Sequence, residues 1–234
     1  MALQLENEYV RPGMIVSHLL NLKKMAVEIG FDVPLYSMTH WMDSEYPKGE
    51  ITFIMVSGDG GMDIGMGSAI GTALRNNHII LFEYDNGGYM NTGYQLSYST
   101  PKGAKSSTSH VGKEQYGKTF FNKDTPIIMA AANIPYVATV AESNPLDFIK
   151  KAAKAKAYSN EYGTAYLKAL SACPLNWSDK PNTERKVIGA GVDCCYFPLY
   201  EIENGITSLS YNPESANKKI TVLDWFSMMG RTKH

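Results

Sequence analysis

At 234 residues, with 44% apolar and 19% charged side chains, the chain is long enough to bury a sizeable core as one large domain or two small ones. Its 22 basic and 23 acidic side chains leave no net field to draw nucleic acid or an anionic membrane, so neither is expected as a partner. Three cysteines (Cys173, Cys194 and Cys195), two of them adjacent, make no disulfide framework and suit a reducing compartment. There is no basic, apolar leader over residues 1–8 and no run of roughly 20 apolar residues to span a bilayer, so the expected location is cytoplasmic.

Residues 1–50 are expected to form a short N-terminal helical segment packed on a single domain that runs 51–234. Residues 51–57, ITFIMVS, are an apolar and β-branched run, expected as a strand buried on both faces in the middle of a parallel sheet. Over 62–77, Ile64, Ala69, Ile70, Ala73 and Leu74 fall at helical spacing and predict a crossover helix. Residues 78–84, HIILFEY, predict a second buried strand, opened by a structural His78. Strand, helix and strand in that order require a right-handed crossover in a parallel sheet.

Residues 85–124, rich in Gly, Ser and Thr without apolar periodicity, are expected as an extended loop, which inside a compact domain usually means function. Alternation then resumes with a helix at 125–133, a strand at 136–140, a helix at 145–158 capped by Asn144-Pro145, and a strand at 164–171. The lysines between Lys150 and Lys168 are assigned to a solvated face, and Cys194 and Cys195 to the core. Strands at 197–202 and 206–211 flank the turn Glu203-Asn204-Gly205 as an antiparallel hairpin. A short helix at 222–229 follows. The fold class is therefore α/β, a mostly parallel sheet flanked by helices with a C-terminal hairpin and tail.

Gly58-Asp59-Gly60-Gly61 stands at the carboxyl end of the first strand, before a helix, where open α/β sheets bind ligands. Alone, such a pattern is as readily a tight turn as a site. Asp85-Asn86 changes the balance: 25 residues beyond Gly60 the next strand ends in a carboxylate and a carboxamide. Two adjacent parallel strands thus deliver oxygen ligands to one rim, which suits a hard cation such as Mg²⁺ bridging a diphosphate. The glycines let the backbone approach the anion, and the helix N-terminus offers N–H groups and a positive dipole end.

This GDG with an Asn some 25 residues on, and above all YDNGGYMNTGYQLSYSTPKGA over 84–104, resembles the thiamine-diphosphate-binding β subunit of 2-oxoacid:ferredoxin oxidoreductases, the pyruvate synthase type. PYVATV, CPLNW, FPLYEIENG and the ending GRTKH extend the resemblance from about residue 51 onward. It implies a thiamine-diphosphate-binding domain of the diphosphate type. Asp59 and Asn86 would be Mg²⁺ ligands, joined by the Gly88 carbonyl. Gly58, Gly60 and Gly61 would shape the diphosphate turn, Tyr89 would line the cofactor, and Thr92 would order the loop. Asn91 would be the catalytic residue, facing thiazolium and substrate, where an amide can stabilise developing oxygen charge. Gly87 and Gly88 stand where members often carry Glu and Ala, which predicts a more flexible metal loop.

The implied reaction is oxidative decarboxylation of a 2-oxoacid, pyruvate by default, with oxalate, branched and aromatic acids open. Electrons would leave for ferredoxin and the acyl group would usually pass to coenzyme A, which His110 in the long loop could touch. An α subunit would supply the aminopyrimidine-binding domain, beside further γ- and δ-type subunits. Members commonly hold a [4Fe–4S] cluster with an N-terminal cysteine pair, one further cysteine and a later one matching Cys173. None of the first three precedes Cys173 here, so that cluster stays open. The alternative is a truncated or noncatalytic cofactor-binding subunit that has lost its own cluster.

Overall fold

The computed structural model describes residues 52–180 and 182–232, so the segment expected over 1–50 lies outside the described residues. The described chain forms a six-stranded sheet in the order β1-β2-β4-β3-β5-β6. Strands β1 (Ile54–Gly58), β2 (Ile80–Asp85), β3 (Tyr136–Ala141) and β4 (Ala165–Leu170) are parallel. The hairpin β5 (Tyr200–Glu203) and β6 (Ile206–Leu209) joins antiparallel to β3. Helices α1 (Asp59–Leu74), α2 (Thr125–Ala131) and α3 (Pro145–Glu161) make the crossovers. Short α4 (Pro174–Trp177), α5 (Glu184–Asp193) and α6 (Val222–Phe226) complete the C-terminal part, closed by a 3₁₀ turn over Gly230–Thr232.

Alternation along the strands explains the layers. Leu81, Val137, Tyr166 and Ile202 pack with Met62, Ala69 and Ala73 of α1 and Met129 of α2. Their neighbours Ile80, Ala138, Val140 and Leu167 face the other way and pack with Ala155 and Phe148 of α3. A third cluster joins Trp177, Val187, Leu199, Trp225 and Met229 across the C-terminal helices. In the hairpin turn Asn204 and Gly205 both take positive φ, 48° and 81°, which matches strand twist and is why this pair sits there.

Several expectations are corrected. β1 is not central: among the described residues it is an edge strand, and Val56 is 61% exposed. An apolar run shows that a segment suits a sheet but carries no information about its place in strand order. Helix α1 begins at Asp59, three residues before its expected start, so Asp59, Gly60 and Gly61 lie inside the helix, with Gly58 at its N-cap, and not ahead of it. Two of its glycines lie against side chains: an added Cβ at Gly61 would sit 2.3 Å from Ser57 Oγ, and one at Gly60 2.7 Å from the Tyr89 ring. Asn144 occupies the N-cap of α3, but its side chain makes no cap bond.

The lysine reading also fails in part. Lys151 and Lys168 are buried. Lys151 Nζ donates to the Thr139 carbonyl at 2.9 Å, to Asp147 and to Ser210. Lys168 lies on β4, a strand buried along its whole length whatever the charge it carries, and is paired with Asp85 at 2.9 Å. Cys194 is buried as expected, whereas Cys195, at φ 60° just past α5, is exposed. His78 precedes β2 and its ring nitrogen lies 2.8 Å from the Ser159 carbonyl, a structural tie. Helices α4 and α5 were not foreseen, since neither carries a repeat long enough to read.

Candidate functional site

Parallel neighbours β1 and β2 end side by side, with Gly58 registered to Tyr84, and the chain leaves them as α1 and as the loop Asp85-Asn86-Gly87-Gly88. Asp59, the first residue of α1, is 1% exposed. Its Oδ2 accepts from Gly88 N at 2.9 Å and its Oδ1 from Asn86 N at 3.4 Å, so helix and loop are laced together through one carboxylate. One terminal atom of the Asn86 carboxamide lies 3.1 Å from both the Gly88 carbonyl oxygen and Asp59 Oδ1. With its nitrogen turned there, Asn86 donates to both. With its oxygen turned there, three oxygens from Asp59, Asn86 and Gly88 meet with no proton among them, an arrangement that a hard cation resolves.

Two further features fit an anion bound over that cation. Helix α1 has Gly58 at its N-cap and no side-chain cap, unlike α2, where Asp124 accepts from Ile127 N. The first-turn N–H groups of α1 are therefore left for another acceptor. Gly58, Gly60, Gly61, Tyr84, Tyr89, Met90, Asn91 and Thr92 line a cleft of about 270 Å³ over this helix end. The structure thus brings together the residues singled out from sequence: Asp59, Asn86 and Gly88 at the oxygen cluster, the three glycines on the turn, and Tyr89 across Gly60. Asn91 and Thr92 are exposed at the cleft rim. Thr92 is tied to Gln95 by bonds of 2.5 and 2.6 Å.

Electrostatics set the site apart from an ordinary turn. Burial, and then the charge of Asp85, pushes the Asp59 carboxyl up to about 7, against the pull of Ser97 and Lys123. Behind it runs a buried ion network that sequence reasoning missed. Lys123 donates to Asp63 at 2.6 Å and to the Asp59 carbonyl at 2.8 Å, and lies 3.3 Å from Glu83. Lys168 bridges Asp85 and Glu83, and Tyr166 donates to Glu83 at 2.5 Å. Burial works against the Lys168 ammonium, yet Asp85 and Glu83 hold its affinity for the proton above the usual. The clue in sequence was slight: alternation places Glu83 and Lys168 on an inward face, where a charge needs a partner.

Arg231 and Trp177 were also missed as individual residues, although their segments carry the resemblance. Arg231 lies on the far side of the Asp85–Gly88 loop, with Trp177, Asp85 and Lys168, in a larger cavity of about 560 Å³. His110 does not join the cleft. It lines a separate depression of about 400 Å³ with Leu96, Tyr116 and Phe120. Cys173 is half-buried at the N-cap of α4, and among the described residues no group of three or more His, Cys, Asp or Glu side chains could hold a metal. No helix among them is long and apolar enough to cross a membrane.

A buried carboxylate, a carboxamide and a carbonyl thus meet beside an uncapped helix end in a mostly parallel α/β sheet, an arrangement that suits a bound diphosphate. Residues 14–168 match the thiamine pyrophosphate enzyme, C-terminal TPP binding domain, and the chain belongs to that family. It is 41% identical over 167 residues to the pyruvate synthase subunit PorB of Methanothermobacter marburgensis, covering 71% of this chain and 57% of that protein. Against the PorB of Methanocaldococcus jannaschii it is 38% identical over 186 residues, 79% of this chain and 60% of that one. The ketoisovalerate oxidoreductase subunit VorB of Pyrococcus furiosus is 34% identical over 191 residues, with 80% and 60% covered. The chain thus spans about three fifths of the length of these curated relatives.

Proposed function

We propose that this chain is the thiamine-diphosphate-binding β subunit of a 2-oxoacid oxidoreductase, carrying out oxidative decarboxylation with electrons passed to ferredoxin. The observation that carries it is the convergence of Asp59, Asn86 and Gly88 oxygens at the uncapped end of α1. There Asp59, Asn86 and the Gly88 carbonyl would hold Mg²⁺. The first-turn N–H groups after Gly58 would receive the diphosphate, and Tyr89, lying on Gly60, would wall the cofactor. Bound there, thiamine diphosphate supplies a nucleophilic carbon and an electron sink for loss of CO₂. Asn91, at the cleft rim, would donate from its amide to the substrate's 2-oxo oxygen.

The names of the relatives favour pyruvate or a branched 2-oxoacid as substrate. In this reading a partner chain would hold the cofactor's aminopyrimidine half, so assembly is part of it. The test is calorimetry of thiamine diphosphate binding to the full chain, with any co-purifying subunits, with and without Mg²⁺. Binding that requires Mg²⁺ is expected; no binding under either condition overturns the reading. Reduction of a low-potential dye by the assembled complex with pyruvate and with 2-oxoisovalerate then ranks the acids, and no reduction with any 2-oxoacid would leave a cofactor-binding subunit without the activity.

A further inference from the structure

We propose that Arg231, with Trp177 and Thr100, positions the loop of Asn86, Gly87 and Gly88 so that its last carbonyl is aimed at the cation; this rests on the cofactor reading above. The loop's hydrogen bonds divide sharply. Trp177 Nε1 donates to the Asn86 carbonyl at 2.6 Å, and Gly87 N donates to Asp85 Oδ1 at 3.0 Å, so the peptide plane between those residues is pinned at both edges. The Gly87 carbonyl accepts from Thr100 Oγ1 at 2.9 Å and from Arg231 Nη1 at 3.3 Å, while Gly88 N donates to Asp59 Oδ2 at 2.9 Å, so the next plane is pinned likewise. Among the described residues, the Gly88 carbonyl alone in this stretch is left without a hydrogen-bonded donor, apart from the Asn86 amide when that is turned toward it.

Arg231 is an expensive way to fill space. It is 4% exposed, and burial pushes its guanidinium down to about 10. Among the described residues its Nε has no hydrogen-bond partner and no carboxylate makes an ion pair with it. Its carbon lies 4.4 Å from the centre of the Trp177 ring, so one donor on the loop braces the other. A buried guanidinium without a paired carboxylate carries a desolvation cost that no ion pair offsets. Its role here is therefore sought in what it touches, which is Gly87. Gly87 takes φ 68°, and a Cβ added there would lie 3.0 Å from Arg231 Nη1, so arginine and glycine fit each other in shape.

The experiment measures the Mg²⁺ concentration that half-saturates thiamine diphosphate binding, for the full chain and for Arg231→Gln, Arg231→Lys and Thr100→Val. The same titration is run with Ca²⁺, and the melting midpoint is taken without cofactor. Loss of an outer partner of a metal site typically weakens metal binding 10- to 100-fold, so Arg231→Gln is expected to need about 10-fold more Mg²⁺, with partial rescue by Lys. Thr100→Val, which keeps shape, is expected to need a few-fold more. Preference for Mg²⁺ over Ca²⁺ should narrow in both variants, because Mg²⁺ is the ion that demands strict geometry. A merely structural role would lower the cofactor-free midpoint and leave that preference alone. Folded variants with wild-type Mg²⁺ dependence overturn the proposal; if Arg231→Gln does not fold, Thr100→Val decides. Failure of the wild type itself to bind with Mg²⁺ sinks the cofactor reading instead, and the two failures are told apart by which protein fails.

Discussion

Asp59→Asn is expected to abolish Mg²⁺-dependent binding of thiamine diphosphate, with an affinity loss of at least about 100-fold, while leaving the cofactor-free protein more stable at alkaline pH. Both halves come from one buried carboxylate. Removing the negative ligand costs more than removing a supporting partner, which alone typically weakens a metal site 10- to 100-fold. The amide can still accept from Gly88 N and can donate to the Asn86 carboxamide oxygen, so the fold keeps its shorter lacing bond and loses only the longer one from Asn86 N. The sign of the stability effect follows from the raised Asp59 value. With the carboxyl moved from 3.8 up to about 7, the unfolded chain gives up its proton first as pH rises. Wild-type stability is therefore undiminished below pH 4, falls between 4 and 7, and carries the full cost above 7, on the order of 1–4 kcal/mol. Melting curves of both proteins without Mg²⁺ should coincide near pH 4 and separate by pH 8 in favour of Asn. A variant that still binds in a Mg²⁺-dependent way, or that melts below wild type at pH 8, contradicts this account.

Gly117→Ala is expected to be the most destabilising glycine substitution in the long loop, by about 3 kcal/mol. Gly117 has φ 69°, and its missing Cβ would lie 2.4 Å from the Gly103 carbonyl and 2.7 Å from that of Ala104. Two loop segments cross there, tied by Gly103 N to the Lys118 carbonyl at 2.8 Å and Lys118 N to the Ala104 carbonyl at 3.2 Å. The neighbouring Lys118 ammonium holds the carbonyls of Tyr98 and Thr100, both at 2.6 Å. Because Thr100 in turn holds Gly87, the damage should reach the cation loop. The melting midpoint is expected to drop by about 6–12 °C for a chain of this size. Gly112→Ala is the control, since nothing lies within 4 Å of its added Cβ; equal drops in the two variants would show that the crossing is not what matters.

How far the sequence spoke varies by residue, and the physics says why. Period and composition placed every strand of the parallel sheet and its crossover helices to within a few residues, because β2, β3 and β4 bury apolar side chains on both faces. The loop at 85–124 was readable from its lack of period, and past Asp85, the last residue of β2, it contains no helix or strand, only isolated bridges such as Tyr89 to Gln95. Asp59, Asn86 and Gly88 were legible because they sit next to strand ends, where local order fixes position. The edge place of β1 was hidden, since strand order is a property of partners distant in sequence. Glu83, Lys123 and Lys168 were hidden for the same reason: a charge on an inward face announces a need for a partner without naming it. The flexibility expected from Gly87 and Gly88 took no account of donors far along the chain, and the loop is instead tied at nearly every polar atom.

Those ties have a consequence for the order in which the molecule becomes competent. The donor on the Asn86 carbonyl comes from 91 residues later and the arginine on Gly87 from 144 residues later. β1, α1 and β2 can form with Asp59 and Asn86 in place, yet until Trp177 and Arg231 pack against the loop the Asn86 carbonyl lacks its donor and the Gly87 carbonyl has only Thr100. Final ordering of this loop therefore waits on contacts made far along the chain.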